Sequence, residues 1–233
     1  MPIVPITVGC MTFIVAIFRF LTAAFALAGT SQTWMFGQSQ NLVYFTHQTN
    51  LLIAITFIWA GFASILRGVQ PPAWLKGGLT LNIIITGLVA WLVLPPADPA
   101  TETYIWGMAS TTMVHIIVPI MASIDFLLFD EHRRFSWSYA LTWLIYFPVY
   151  LAFVLVRALV FHATGPASDG SPYPYGFINL DKLGLNQFVI NCGIYLGLFF
   201  VLALIIVIVD KALPQRTPLT GTVANAPRFK RSR

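Results

Sequence analysis

Six stretches of nearly continuous apolar residues run along the chain, at about 6–29, 43–66, 78–94, 104–129, 139–161 and 187–209. Hydrophobic and polar positions do not alternate within them, so they do not read as barrel strands. Each approaches the ~20 residues a helix needs to cross a bilayer. A helix also satisfies its own backbone polar groups in hydrocarbon. The pattern predicts an all-α membrane protein: one bundle of six transmembrane helices over 1–213, then a basic, disordered tail over 214–233.

Composition agrees with the pattern. The 233 residues are 58% hydrophobic and 9% charged, too apolar for a soluble fold to cover. The basic residues set the orientation. Arg67, Lys76, Arg133, Arg134, Lys211 and the arginines and lysine of the tail fall on one side, and Lys182 alone falls on the other. That asymmetry predicts both termini in the cytoplasm. It also accounts for most of the net charge of +5. Without a basic face or nucleic-acid-binding motif, no nucleic-acid partner is expected. Ala26-Leu27-Ala28 resembles a signal-peptidase site, but no Lys or Arg precedes the apolar run and Arg19 interrupts it, so the first span is expected to be retained. Cys10 and Cys192 belong at different depths and are expected to be packing residues.

The candidate chemistry lies in polar residues within the spans. Span two opens with Thr46-His47-Gln48-Thr49-Asn50, and span four carries His115. Polar groups in hydrocarbon are costly unless they pair or line a cavity, which makes them functional candidates. The topology puts both groups in the outer leaflet half, with Thr46 roughly 5–10 Å deep and His115 roughly 13–16 Å deep. Arg19 is expected ~15 Å below the outer end of span one. Arg157, His162 and Asn191 are expected near the same outer end, and Asn82, Ser123 and Asp125 in the inner half. Asp125 reads as a structural ion pair near Asp130 and Arg133. His132 and His162 read as interface residues. No lysine is expected inside a span.

A hydroxyl nucleophile needs a base in hydrogen-bond reach and donors for the oxyanion that follows. Thr46 or Thr49 supplies the hydroxyl, and His115 the base. His47, Gln48, Asn50, Asn191, Arg19 and Arg157 are candidates to hold an oxyanion or a substrate carboxylate. No Asp or Glu falls in the outer half of any span, so a two-residue Thr-His device is simpler than a triad. Two histidines are too few for a zinc site, which wants three or four ligands. No metal or cofactor is expected.

These residues also carry a resemblance. Tyr44-Phe45-Thr46-His47-Gln48-Thr49-Asn50-Leu51-Leu52 on span two, His115 then Pro119 on span four, Arg157 on span five, and Tyr173-Pro174-Tyr175-Gly176-Phe177-Ile178-Asn179-Leu180 in the last outer loop occur in that order. In this the chain resembles a bacterial member of the six-pass family that includes the androgen-induced protein and the androgen-dependent TFPI-regulating protein. The resemblance covers nearly everything before about residue 213. It implies a transmembrane threonine hydrolase cleaving fatty-acid esters, located in the bacterial cytoplasmic (inner) membrane. The animal members act on fatty-acid esters of hydroxy fatty acids through one threonine of span two and one histidine of span four. Tyr44-Phe45-Thr46 matches the family's threonine pattern, and His115 with Pro119 and Asp125 matches its histidine pattern. The 46–50 segment departs from the family in being more polar, so Thr49 stays a rival nucleophile. The implied partner is a membrane lipid or amphiphilic ester. The alternative from another class is a non-catalytic protein that binds or transports a lipid or small amphiphile in the same outer-leaflet pocket. A scaffold whose polar residues only join helices is a third.

Overall fold

The structure is a computed structural model. It describes residues 6–96, 99–100, 102–165, 170–215 and 222–223. Six helices in it are long and apolar enough to cross a membrane. We label them α1 (Ile6–Gly29), α2 (Phe45–Ile65), α3 (Ala73–Leu92), α4 (Ser110–Phe129), α5 (Tyr139–Leu159) and α6 (Leu180–Ala212). One end of the bundle holds residues 66–72, 130–138 and the end of α6, and is called the basic end below. The opposite end holds the starts of α2, α4 and α6.

Small residues bring α1 and α2 together. Ala23 and Ala26 of α1 pack with Ile53, Ala54 and Phe57 of α2, and Leu79, Ile83, Val118 and Ala122 of α3 and α4 complete this core. At Gly61 the ring of Phe20 lies where a Cβ would stand, 2.7 Å away. Such close approach is the usual basis of helix association in lipid, where burial against another helix gains little over burial in acyl chains. A second core joins α3, α5 and α6 to the loop over 173–178, through Leu81, Trp143, Val154, Ile178 and Ala203. Large apolar side chains such as Phe13, Phe62, Val149 and Leu198 face outward.

Helix ends differ from the sequence expectation in three places. Span four begins at Ser110, not near 104. Tyr104–Ile105 and Met108–Ala109 instead form a short antiparallel pair. Trp106 (φ 53°) and Gly107 (φ 76°) both sit in the left-handed region, as a two-residue hairpin turn requires. His115 is therefore only about 8 Å into its helix, shallower than expected. Span three begins at Ala73, just after Pro71-Pro72, so Lys76 lies inside a helix and is buried. Span six extends from Leu180 and is broken at Gly184 (φ 69°, ψ 163°).

Helix α4 is not a regular α-helix. It widens into π turns at Met113–Ile117 and Asp125–Phe129. Pro119 explains the first. It has no N–H to give the His115 carbonyl, and its ring would crowd that oxygen in a regular turn. The freed carbonyl leans on α3 at Gly87, where an added Cβ would lie 3.0 Å from it. The tail falls mostly outside the described residues, but Thr222 and Val223 pair in parallel with Val69 and Gln70.

Candidate active site

Thr46 is the second residue of α2. The chain reaches it through a 3-10 turn at Ser39–Val43 and an extended Tyr44. Tyr150 Oη pins the approach by donating to the Val43 carbonyl (2.9 Å). Asn50, one turn on, donates from Nδ2 to the Thr46 carbonyl (2.9 Å) and to the Val114 carbonyl of α4 (3.4 Å). Asn50 is thus a strut that ties the Thr46 turn to the residue preceding His115.

Across that junction Thr46 Oγ1 lies 3.2 Å from His115 Nε2. The carbonyl of Thr111, one turn earlier in α4, hydrogen-bonds the His115 ring. A proton on Nδ1 satisfies that carbonyl and leaves Nε2 free to accept from the threonine. Tyr175 Oη lies 3.5 Å from the same Thr46 oxygen. Burial pushes the Tyr175 phenol up to about 12, while bonds from Thr46 and the backbone at Phe45 and Thr46 act against that. Its hydroxyl covers the first free N–H groups of α2, which have no partner within the helix. Tyr175 stacks on Phe177 at 5.2 Å and meets Tyr44 edge-on at 5.9 Å, so the ring is held from both sides.

Thr46, His115 and Tyr175 open onto a cavity of about 1060 Å³. One part runs down the α3–α4 face past Leu88, Ile116 and Ile120 to Ile124. Leu88, Trp91, Ile116 and Ile120 of α3 and α4 line the cavity and are themselves exposed, so it is an open cavity and not an enclosed void. Toward the start of α4 the lining includes polar Gln32, His47, Glu102, Thr103, Ser110 and Thr111 together with apolar Trp91, Leu94, Pro95 and Pro96. His47 Nδ1 is 2.5 Å from Thr33 Oγ1. Gln32 donates to the Thr103 hydroxyl.

Several sequence candidates lie elsewhere. Thr49 is fully buried and does not line the cavity. Gln48 donates to the Leu42 carbonyl (2.7 Å) and accepts from Tyr146 Oη (2.8 Å). Asn191 donates to the Phe177 carbonyl (3.0 Å) and so braces the Tyr175 loop from behind. Arg157 donates to the carbonyls of Pro172, Thr164 and Gly165 at 2.8–3.0 Å, which commits it to the loop between α5 and α6.

Arg19 is the clearest correction. It does not face the candidate site. Its guanidinium bonds Asp125 (2.7 Å), Asp130 (3.1 Å), Ser64 (3.0 Å) and Gln70 (3.1 Å). Lys76 donates to the same two carboxylates. Asp125 is ten residues from His115 on α4, about 15 Å along the helix. The carboxylate read as a structural ion pair is one, with Arg19 and Lys76 as partners in place of Arg133. His132, read as an interface residue, is buried, with Nδ1 3.8 Å from Asp210.

Sequence reading missed Glu102. It sits in the loop before α4, outside every span, and reaches back over the helix start. Its Oε1 accepts from Thr103 N (3.1 Å), Ser110 Oγ (2.8 Å) and Thr111 N (3.4 Å), and Oε2 accepts from the Thr111 hydroxyl. Partial burial raises its pKa, but these bonds outweigh that and hold it below the ordinary carboxylate value. The available signal was an acid eight residues before a Ser-Thr-Thr helix start. Among the described residues, no three of His, Cys, Asp and Glu group as metal ligands. No family model, curated protein or solved structure matches the chain.

Proposed function

We propose that this integral membrane protein is a hydrolase of lipid-like acyl esters, with Thr46 as nucleophile and His115 as base. The observation that carries the reading is the 3.2 Å contact between Thr46 Oγ1 and His115 Nε2 at the wall of a large, mainly apolar cavity. Thr46 is preferred to Thr49 because only Thr46 lines that cavity. The resemblance to six-pass threonine hydrolases points the same way, and with it goes a place in a bacterial inner membrane with both termini in the cytoplasm.

The reaction runs in two acyl transfers. An ester enters between α3 and α4, its acyl chain lying along that face. His115 Nε2 takes the Thr46 proton as Oγ1 attacks the ester carbonyl. Negative charge builds on the carbonyl oxygen, and the Tyr175 hydroxyl, 3.5 Å from Thr46 Oγ1, is the donor assigned to it. Collapse breaks the ester C–O bond, the departing alcohol takes the proton from His115, and an acyl-threonine remains. Water, deprotonated by His115, then attacks the acyl carbon. Thr46 Oγ1 leaves, regains the proton from His115, and the acid is released.

The same cavity supports a second reading, a lipid binder without turnover. The test is ester hydrolysis by protein purified into nanodiscs. Turnover that vanishes in Thr46→Ala and His115→Ala, with both still folded, supports the hydrolase. Undiminished turnover in Thr46→Ala removes the nucleophile. Lipid bound by a protein that cleaves no ester moves the function to binding.

A further inference from the structure

The charge around the cavity says which esters suit it. Among the described residues that line it, Glu102 alone carries a permanently ionised kind of side chain at neutral pH; the others are apolar groups, hydroxyls, an amide and two imidazoles. An imidazole acting as a base is uncharged. Each cation that sequence placed near this end is committed elsewhere or lies off the cavity. Arg157 is spent on three loop carbonyls, and Arg19 lies at the basic end beside Asp125. Lys182 is not a lining residue. Residues 97–98, 101 and 166–169 contain neither Lys nor Arg.

Position sharpens this. The apolar arm follows α4 from His115 to Ile124, nine residues or about 14 Å, enough for an extended acyl chain. The alcohol portion of the ester then points to the opposite arm, where Glu102 stands with Gln32 and Thr103. Among the described residues, Glu102 Oε1 accepts three hydrogen bonds and Oε2 one, so Oε2 keeps room for a further donor. A substrate carboxylate there would meet a fixed like charge in a partly dry site, with no Lys or Arg among the described lining residues to offset it. Hydroxyl groups would find an acceptor.

Building on the hydrolase reading, we infer that the site takes esters whose alcohol portion is uncharged and bears hydroxyl groups, of the partial acylglycerol type, and discriminates against esters whose alcohol portion ends in a carboxylate. This departs from the substrates of the animal members of the family it resembles, whose esters carry a free carboxylate.

The test uses three probes of matched acyl length: a monoacylglycerol, a fatty-acid ester of a hydroxy fatty acid, and the primary amide of that same ester. Hydrolysis is measured in zwitterionic nanodiscs at about pH 8, above the ordinary imidazole range, at equal membrane-bound concentration. Competition of each probe against a fluorescent neutral lipid is measured in Thr46→Ala, which reads the charge preference without turnover. The expected result is that the monoacylglycerol and the amide exceed the carboxylate by at least about tenfold in kcat/KM and compete better. Glu102→Gln narrows that gap, because it removes the charge and keeps an acceptor oxygen. A wild type that treats the carboxylate as well as the amide overturns the inference, as does a gap that Glu102→Gln leaves unchanged. If no probe is cleaved the hydrolase reading fails, and competition alone decides the charge preference.

Discussion

Thr46 and His115 stand 69 residues apart in sequence, yet Oγ1 of one lies 3.2 Å from Nε2 of the other. Two local features bring them to one depth. The hairpin at Trp106-Gly107 delays the start of α4, so His115 sits in its second turn. Asn50 then bridges the first turn of α2 to the carbonyl of Val114. Asn50→Leu removes both side-chain bonds, including the one that joins α2 to the Val114 carbonyl of α4, so it is expected to destabilise by about 1–3 kcal/mol. Thermal unfolding in nanodiscs checks this, and unchanged stability would show that Asn50 is not a strut.

Tyr175 offers its hydroxyl to Thr46 from a loop, not from a span. Tyr175→Phe keeps the stacking on Phe177 and loses only the oxygen. The expected effect is a fall in kcat of about a hundredfold with KM little changed, because an oxyanion donor acts mainly in the transition state. A rise in KM at constant kcat would make Tyr175 a binding residue instead.

Pro119 is expected to hold the wide turn that carries His115. Pro119→Ala supplies the missing N–H and allows a regular turn, which would rotate the imidazole away from Thr46. Lower turnover with equal or greater thermal stability is the expected pair of results. A variant as active as wild type would show that the turn does not set the angle of His115.

At the basic end, Arg19, Lys76, Asp125 and Asp130 form one buried network. Cutting a buried pair strands a charge, so Asp125→Ala is expected to cost about 3–5 kcal/mol. Activity per folded molecule should persist, because the network lies about 15 Å from His115 along α4. Loss of activity at full stability would move Asp125 into the mechanism.

Glu102 gives a pH dependence with a definite sign. Its folded pKa is below the ordinary 4.5. A depressed carboxyl stabilises the fold above its unfolded value, and that contribution is lost as pH falls through the folded value. Stability should therefore drop below about pH 4.5, and Glu102→Gln should flatten that part of the curve. The measurement is thermal unfolding between about pH 3 and pH 7.

What was legible in sequence follows from the kind of signal. The six spans announce themselves because long apolar runs need no tertiary context. Thr46 and His115 stand out because polar groups are scarce there. The start of α4 was misread since Tyr104, Ile105, Trp106, Met108 and Ala109 are as apolar as a helix, and only the positive φ of Trp106 and Gly107 turns them into a hairpin. Arg19 was misassigned because depth was counted from one helix, whereas its partners come from α2, α4 and the residues around Gln70. Glu102 escaped because a loop residue has no periodicity to say which way it folds back.

The most direct test of the central claim is labelling of the purified, folded protein with a fluorophosphonate probe and mapping of the adduct by mass spectrometry. Wild type, Thr46→Ala, Thr49→Ala and His115→Ala are compared. The adduct is expected on Thr46, retained in Thr49→Ala and lost in both Thr46→Ala and His115→Ala. An adduct on Thr49, one on Thr46 that survives His115→Ala, or none on folded wild type would contradict the claim.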